Sequence, residues 1–223
     1  MTRQRSLFDV VGPVMIGPSS SHTAGAVRLG ALARAVFGSQ PKRAQIALHG
    51  SFATTGLGHG TDLALVAGLL GMTPDDVRIP HALEEALSAG LSVEFTSVEL
   101  GEVHPNTAEF ALFDAAGNMM CIRGSSLGGG EVVVTAIDGF EVIANGELPL
   151  LVVDHTDRPG VIAAVTGILA DSGTNIAEMR VSRERRGARA LMLIETDVEV
   201  DDVCSASIAK QPGVSSVRHV PAV

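Results

Sequence analysis

The stretch that decides the fold runs from Leu150 to Arg183, "LLVVDHTDRPGVIAAVTGILADSGTNIAEMRVSR". It opens on a short apolar run, Leu150 to Asp154, with the length of a strand. A polar loop, "HTDRPG", follows, and the aliphatic run Val161 to Asp171 then reads as a helix. Asn175 to Glu184 reads as a second strand. Beyond it, the polar turn "RRGA" leads to a strand at Leu191–Thr196, a helix at Asp201–Ala209 and a strand at Val214–His219. The order is βαββαβ in roughly 75 residues, a split-βαβ sandwich. The strand Leu150–Asp154 is apolar enough to be covered along its edge.

Upstream of about residue 147 the pattern differs, so the chain divides into 1–146 and 147–223. Ser20 to Phe37 reads as a helix and Arg43 to His49 as a strand. "GSFATTGLGHGT", Gly50 to Thr61, reads as a Gly/Thr-rich loop. "TDLALVAGLLG" reads as a buried helix capped by Thr61 or Asp62. "PHALEEALSAG" is a third helix, stopped by Gly90. Strands follow at "SVEFTSVEL", "AEFALFDA", "NMMCIRG" and "EVVVTAI", with a hairpin turn at Gly117-Asn118. The fold class is α/β (α+β), a mixed lobe followed by the βαββαβ module.

Of the 223 residues 46% are hydrophobic and 18% charged, and the formal net charge is −9. Such a chain has no basic face for phosphates, and with 3% aromatics it has no stacking platform, so nucleic acid is not expected as a ligand. No apolar run reaches membrane-spanning length. The basic start "MTRQRSLFDVVGPVMIG" is broken by Asp9, Gly12 and Pro13 and reads as no signal peptide. Two cysteines, Cys121 and Cys204, suggest a reducing cytoplasm and supply too few thiolates for an iron–sulfur cluster. Two lysines, Lys42 and Lys210, sit in turn and helix-end positions unlike those of a Schiff-base lysine. The histidines show no zinc spacing, and no metal ligand set is expected.

Four polar, glycine-flanked loops remain. In "GPSSSHT", Gly17 and Pro18 can set a sharp turn at a helix start. There Ser19, Ser20 and Ser21 either cap the helix or donate to an anion, and His22 can move a proton near neutral pH. His59 and Asp62 lie three apart in "GHGTD", where Asp62 also fits a plain cap. His104 to Thr107, "HPNT", is a turn or a polar wall. Gly124 to Gly130, "GSSLGGG", is a flexible loop or a place where the backbone approaches something closely.

In this order, "GPSSSHTAGAVRLG", "HGSFATTGLGHGTD", "HPNT" and "SSLGGG" make the chain resemble the β subunit of iron–sulfur-dependent L-serine dehydratases, over essentially its whole length. The Asp154–Arg183 stretch resembles an ACT domain, a ligand-sensing module, through Asp157-Arg158-Pro159-Gly160 and Asn175-Ile176. The first lobe resembles the allosteric substrate-binding domain of some phosphoglycerate dehydrogenases. The resemblance implies conversion of L-serine to pyruvate and ammonia, with a 4Fe-4S cluster held by cysteines of a separate α subunit. It implies His22 as the catalytic group and Ser19, Ser20, Ser21 and Thr23 at the substrate carboxylate. His59, Asp62, His104 and Asn106 would line or support the cleft. Asp157, Gly160 and Asn175 would form a regulatory site, and the ACT domain would pair two copies of the chain. A serine-sensing module like the tail of a phosphoglycerate dehydrogenase is the alternative. A pure sensor, however, has no need of His22 beside three serines.

Overall fold

A computed structural model describes residues 14–223, without the side chain of Leu57. The reading of residues 1–13 as no signal peptide lies outside the described residues. The chain divides into two compact units, Met1–Asp138 and Gly139–Val223.

In the first unit a π-helical turn, Ser20–Ala24, runs straight into α1, Gly25–Phe37. Then come β1 (Arg43–Leu48), α2 (Gly50–His59), α3 (Thr61–Leu69), a 3-10 turn at Ile79–His81 and α4 (Ala82–Ser88). Strands β2 (Ser92–Ser97), β3 (Thr107–Phe113), β4 (Met119–Gly128) and β5 (Glu131–Ile137) complete it. The strands lie in the order β2-β1-β3-β4-β5. Only β1 and β2 run parallel, as the helical connection between them requires, and the other pairs are antiparallel. Alternate residues of each strand turn inward: Ala44 and Ile46 on β1, Phe110 and Leu112 on β3, Ile122 on β4. Leu29 and Leu32 of α1 and Leu65 and Leu69 of α3 complete this core.

Helices α1 and α3 touch backbone to backbone. A Cβ on Gly30 would lie 2.2 Å from the Leu65 carbonyl oxygen, and one on Gly68 would lie 2.0 Å from that of Val27. Only glycine permits this crossing, which sets the start of α1, at Val27, against the end of α3, at Gly68.

Three expectations change here. The segment Gly50 to His59 is a helix and not a loop. Its Phe52 is fully buried, and its first turn hangs on the Pro105 carbonyl, which accepts from the Ser51 amide at 2.8 Å. Packing therefore overrides the poor propensity of its glycines and threonines. Neither Thr61 nor Asp62 caps α3. Gly60, at φ 67°, takes that position and turns the chain directly from α2 into α3. The run Gly124 to Gly130 is mostly strand, with the turn left to its last glycines. A Cβ on Gly124 would stand 2.6 Å from Leu29 Cδ1 and 2.8 Å from the Val133 carbonyl oxygen, so of the two readings close approach is the correct one.

The second unit opens with an additional strand, β6 (Phe140–Ala144), and continues as β7 (Leu150–Thr156), α5 (Val161–Asp171), β8 (Ile176–Arg183), β9 (Arg189–Thr196), α6 (Asp202–Ala209) and β10 (Val214–Val220). From β7 onward this is the expected βαββαβ order. The sheet order is β10-β7-β9-β8, all antiparallel. Leu151, Val153, Met192 and Ile194 form its core with Val161, Val165 and Leu169 of α5 and Ile208 of α6. Strand β7 therefore lies inside the sheet, hydrogen-bonded on both sides, and cannot be the docking edge expected for it. Its apolar character comes from burial of both faces: Leu150 and Val152 are as inaccessible as Leu151 and Val153. The edges are β10 and β8.

Candidate active site

The site is built at the start of the first helix. Ser19 is the cap: its hydroxyl accepts from the His22 amide at 3.2 Å, and its carbonyl accepts from the Thr23 amide at 2.8 Å. The next bond closes a wider ring, with the Gly25 amide donating to the Ser20 carbonyl. Such π-turns are uncommon and recur at functional sites. Gly25 is needed there, because a Cβ would sit 2.0 Å from Ser126 Oγ. Among the described residues the amides of Ser20 and Ser21 and the Ser20 hydroxyl have no hydrogen-bond partner. These are the free donors of this helix start.

His22 is held at both ring nitrogens. Nδ1 lies 3.1 Å from Ser21 Oγ, and Nε2 lies 3.1 Å from both Ser51 Oγ and Thr55 Oγ1. Phe52 meets the ring edge-on at 5.4 Å between centroids, and the His59 ring is tilted against it at 5.0 Å. Burial first, and then the neighbouring His59, hold the His22 pKa below its ordinary 6.5, against a main-chain hydrogen bond at Ser51. The neutral ring is therefore favoured near pH 7. His59 Nδ1 lies 3.0 Å from the Thr55 carbonyl oxygen. A carbonyl only accepts, so that nitrogen carries the proton and Nε2 of exposed His59 keeps a lone pair.

The "HPNT" loop reaches the same place through its backbone. The Ser126 amide donates to the Asn106 carbonyl at 3.0 Å, and the Ser126 hydroxyl donates to the Ser21 carbonyl at 2.9 Å. His104 Nδ1 accepts from the Asn106 amide at 3.1 Å, and the Asn106 side chain donates to the Ser126 carbonyl at 3.4 Å. Asn106 Oδ1 is buried without a partner. Thus Ser19 to His22 and His59 come together directly, while His104 and Asn106 reach them only through Ser126. Thr23 is buried with its hydroxyl unpartnered, under Gly17, where a Cβ would lie 2.4 Å from Thr23 Cγ2. Asp62, in the first turn of α3, has no hydrogen bond or ion pair among the described residues.

Sequence reading missed Ser51, Thr55 and Ser126. The signal was available: Ser51, Thr55 and His59 recur every four residues and form one stripe of α2. It was hidden by reading that segment as a loop.

The regulatory candidates are not one place within a single chain. Asp157 accepts from Arg183 at 2.8 Å and from the Gly187 amide at 3.1 Å, and these hold its carboxyl below the usual range, the Gly187 amide most strongly. Gly160 starts α5 in the left-handed region at φ 94°. Asn175 donates to Asp197 at 2.7 Å. The register sets Thr156 against Arg189 and Ile176 against Thr196, opposite ends of β9. Asp157 and Asn175 are thus roughly 20 Å apart at about 3.3 Å per residue.

The described residues contain no group of three or more His, Cys, Asp or Glu side chains placed to hold a metal ion. Cys121 lies on β4 in one unit and Cys204 on α6 in the other, and burial pushes the Cys121 thiol up, away from thiolate. These residues do not fit an iron–sulfur cluster. No helix among the described residues is long and apolar enough to cross a membrane.

Comparison with known proteins fits this geometry. The sequence model of the serine dehydratase beta chain matches residues 6–89, and that of the ACT domain matches residues 150–203. The chain is 43% identical over 218 residues to the probable L-serine dehydratase, beta chain, of Bacillus subtilis, covering 98% of this chain and 99% of that one. It is 35% identical over 216 residues to the L-serine dehydratase, beta chain, of Peptoniphilus asaccharolyticus, covering 96% and 97%. The chain belongs to the L-serine dehydratase β-chain family. A D-3-phosphoglycerate dehydrogenase of Methanocaldococcus jannaschii is 36% identical over 88 residues, 40% of this β chain and 17% of that enzyme. The βαββαβ portion of this β chain is an ACT domain, in agreement with its strand order.

Proposed function

We propose that this β chain works in the cytoplasm with a cluster-bearing α chain to convert L-serine to pyruvate and ammonia. In this reaction serine loses its α-proton and its β-hydroxyl to give aminoacrylate and water, and the aminoacrylate then hydrolyses. The observation that carries the reading is His22, locked between Ser21 and the Ser51–Thr55 pair at a helix start with unused donors. A chain without fitting thiolates leaves the 4Fe-4S cluster to the partner, and its own part is to bind, orient and move a proton.

The division of labour among the serines follows from their bonds. Ser19 is occupied as the cap and Ser21 by the His22 ring. Ser20, with its free hydroxyl and amide, is left to take the substrate carboxylate, helped by the Ser21 amide and the positive end of the helix. His22, neutral and hydrogen-bonded, relays the proton or orients the substrate. His59 presents a lone pair beside it. His104 and Asn106 hold the loop that fixes Ser126 and so the Ser21 carbonyl. Asp157, Gly160 and Asn175 would serve regulation, and pairing of two copies would use an edge strand, β8 or β10.

The likeness to phosphoglycerate dehydrogenases favours a second reading, a serine-sensing module without chemistry. One experiment separates the two. The purified chain is mixed anaerobically with its α partner and assayed for pyruvate from L-serine. The first reading expects a colourless, inactive chain alone and a brown, active complex. Serine binding by the chain alone, with no pyruvate from the complex, would favour the sensor. Turnover by the chain alone would remove the need for a partner.

A further inference from the structure

We propose that Thr55 is a positioning residue that sets the ring tautomer of His22 and thereby decides which nitrogen is the base. The proposal rests on the reading of His22 as a proton-handling group. A neutral imidazole has one N–H donor and one acceptor nitrogen, and its neighbours choose between them. On the Nδ1 side stands the Ser21 hydroxyl, which can donate or accept. On the Nε2 side stand two hydroxyls, and they are not equivalent.

Thr55 Oγ1 lies 2.9 Å from the Ser51 main-chain carbonyl, one turn back on α2. That carbonyl can only accept, so the single Thr55 hydroxyl proton is committed to it. Thr55 therefore meets His22 Nε2 at 3.1 Å as an acceptor. A bare Nε2 would set two lone pairs against each other, whereas an Nε2–H satisfies both groups. Ser51 Oγ adapts to either state, because it lies 3.2 Å from Thr55 Oγ1 and can donate there. The outcome is His22 with its proton on Nε2 and its lone pair on Nδ1.

That lone pair faces the Ser21 hydroxyl, whose proton turns toward it. Ser21 Oγ in turn lies 3.3 Å from Ser19 Oγ at the mouth of the serine loop. The hydroxyl polarised by His22 is thus a member of the serine run itself. His59 carries the opposite tautomer, since the carbonyl of the same Thr55 takes its Nδ1 proton. A single threonine thus orders two adjacent rings, one through its side chain and one through its backbone.

The test uses the full chain with ¹⁵N-labelled histidine, the His22 ring being assigned by its loss in His22→Gln. Wild type is expected as Nε2–H. In Thr55→Val the Ser51 hydroxyl is alone at Nε2 and can donate, so the Nδ1–H form grows. Ser51→Ala leaves Nε2–H in place, and Thr55→Ser restores it. In the α/β complex acting on L-serine, Thr55→Val lowers kcat about tenfold with KM within about twofold, the scale of one oriented hydrogen bond, and Thr55→Ser recovers the rate. A wild-type ring with its proton on Nδ1, or a Thr55→Val ring spectrum identical to wild type, overturns the proposal. A shifted tautomer with unchanged kcat overturns the assignment of the base. Ring spectra as expected in a complex that makes no pyruvate would leave the tautomer assignment standing and fail the functional reading instead.

Discussion

At His22 every ring edge meets a named neighbour, so its removal has a definite consequence. His22→Ala leaves Ser21, Ser51 and Thr55 facing a gap and is expected to lower pyruvate formation by the α/β complex at least about a hundredfold, the scale of a lost acid–base group. Ser20→Ala removes a free hydroxyl only, and KM for L-serine is expected to rise about tenfold with kcat nearly constant. Both variants should still fold and bind the α partner, and the thermal melt of Ser20→Ala should match wild type. The pH dependence follows from the direction of the His22 shift. Its folded value lies below 6.5, so the ring stays neutral, and able to act as base, to lower pH than an ordinary histidine. The acid limb of kcat/KM should therefore fall below pH 6.5, with activity lost as pH drops through it. His59→Gln removes the neighbouring imidazole whose electrostatic effect helps depress it, and the limb should move upward; a limb that stays in place would assign the shift to burial alone. The serines and His22 were legible in the sequence because they are consecutive. Ser51 and Thr55 share a stripe with His59 that shows only once Gly50–His59 is a helix, and Ser126 reaches the site from 105 residues away in the chain.

At the level of the element, the crossing of α1 over α3 carries the site. Gly30 and Gly68 let the two backbones meet, and a side chain at either place has nowhere to go. Gly68→Ala is expected to destabilise the chain by about 1–3 kcal/mol, the usual cost of overpacking, read as a lower midpoint in urea. Unchanged stability would mean that the helices separate without penalty. Helix α3 was legible because its apolar run is long and nearly unbroken. Helix α2 was not: Gly56 and Gly58 give it the composition of a loop, and what holds it is burial of Phe52 and the Pro105 carbonyl at its start. Strand β4 was read only to Gly124, because glycine there signals a bend locally. In the fold it marks the close approach of Leu29.

For the whole molecule, the expected role of the ACT domain is to tune activity, since it holds no nucleophile–base pair. A chain stopped near Gly146 and assembled with its α partner should keep measurable turnover and lose any activation by serine or a monovalent cation that the full chain shows. Complete loss of turnover in a folded, assembled truncation would place the ACT domain in the active site itself. The regulatory residues show how far a sequence reaches at this scale. Asp157 and Asn175 stand out in one linear motif, yet the antiparallel register sends them to opposite ends of a sheet. Likewise β7 looks like an edge by its composition and is an interior strand by its neighbours. What the sequence by itself determined is the βαββαβ order, the serine run ending in His22 and the shortage of thiolates, because each is a property of consecutive residues or of composition. What only the tertiary structure decided is strand order, the burial of Thr23 and the hydroxyls that close on the His22 ring. Those depend on packing between segments far apart along the chain, where neither propensity nor periodicity carries a record of the partner.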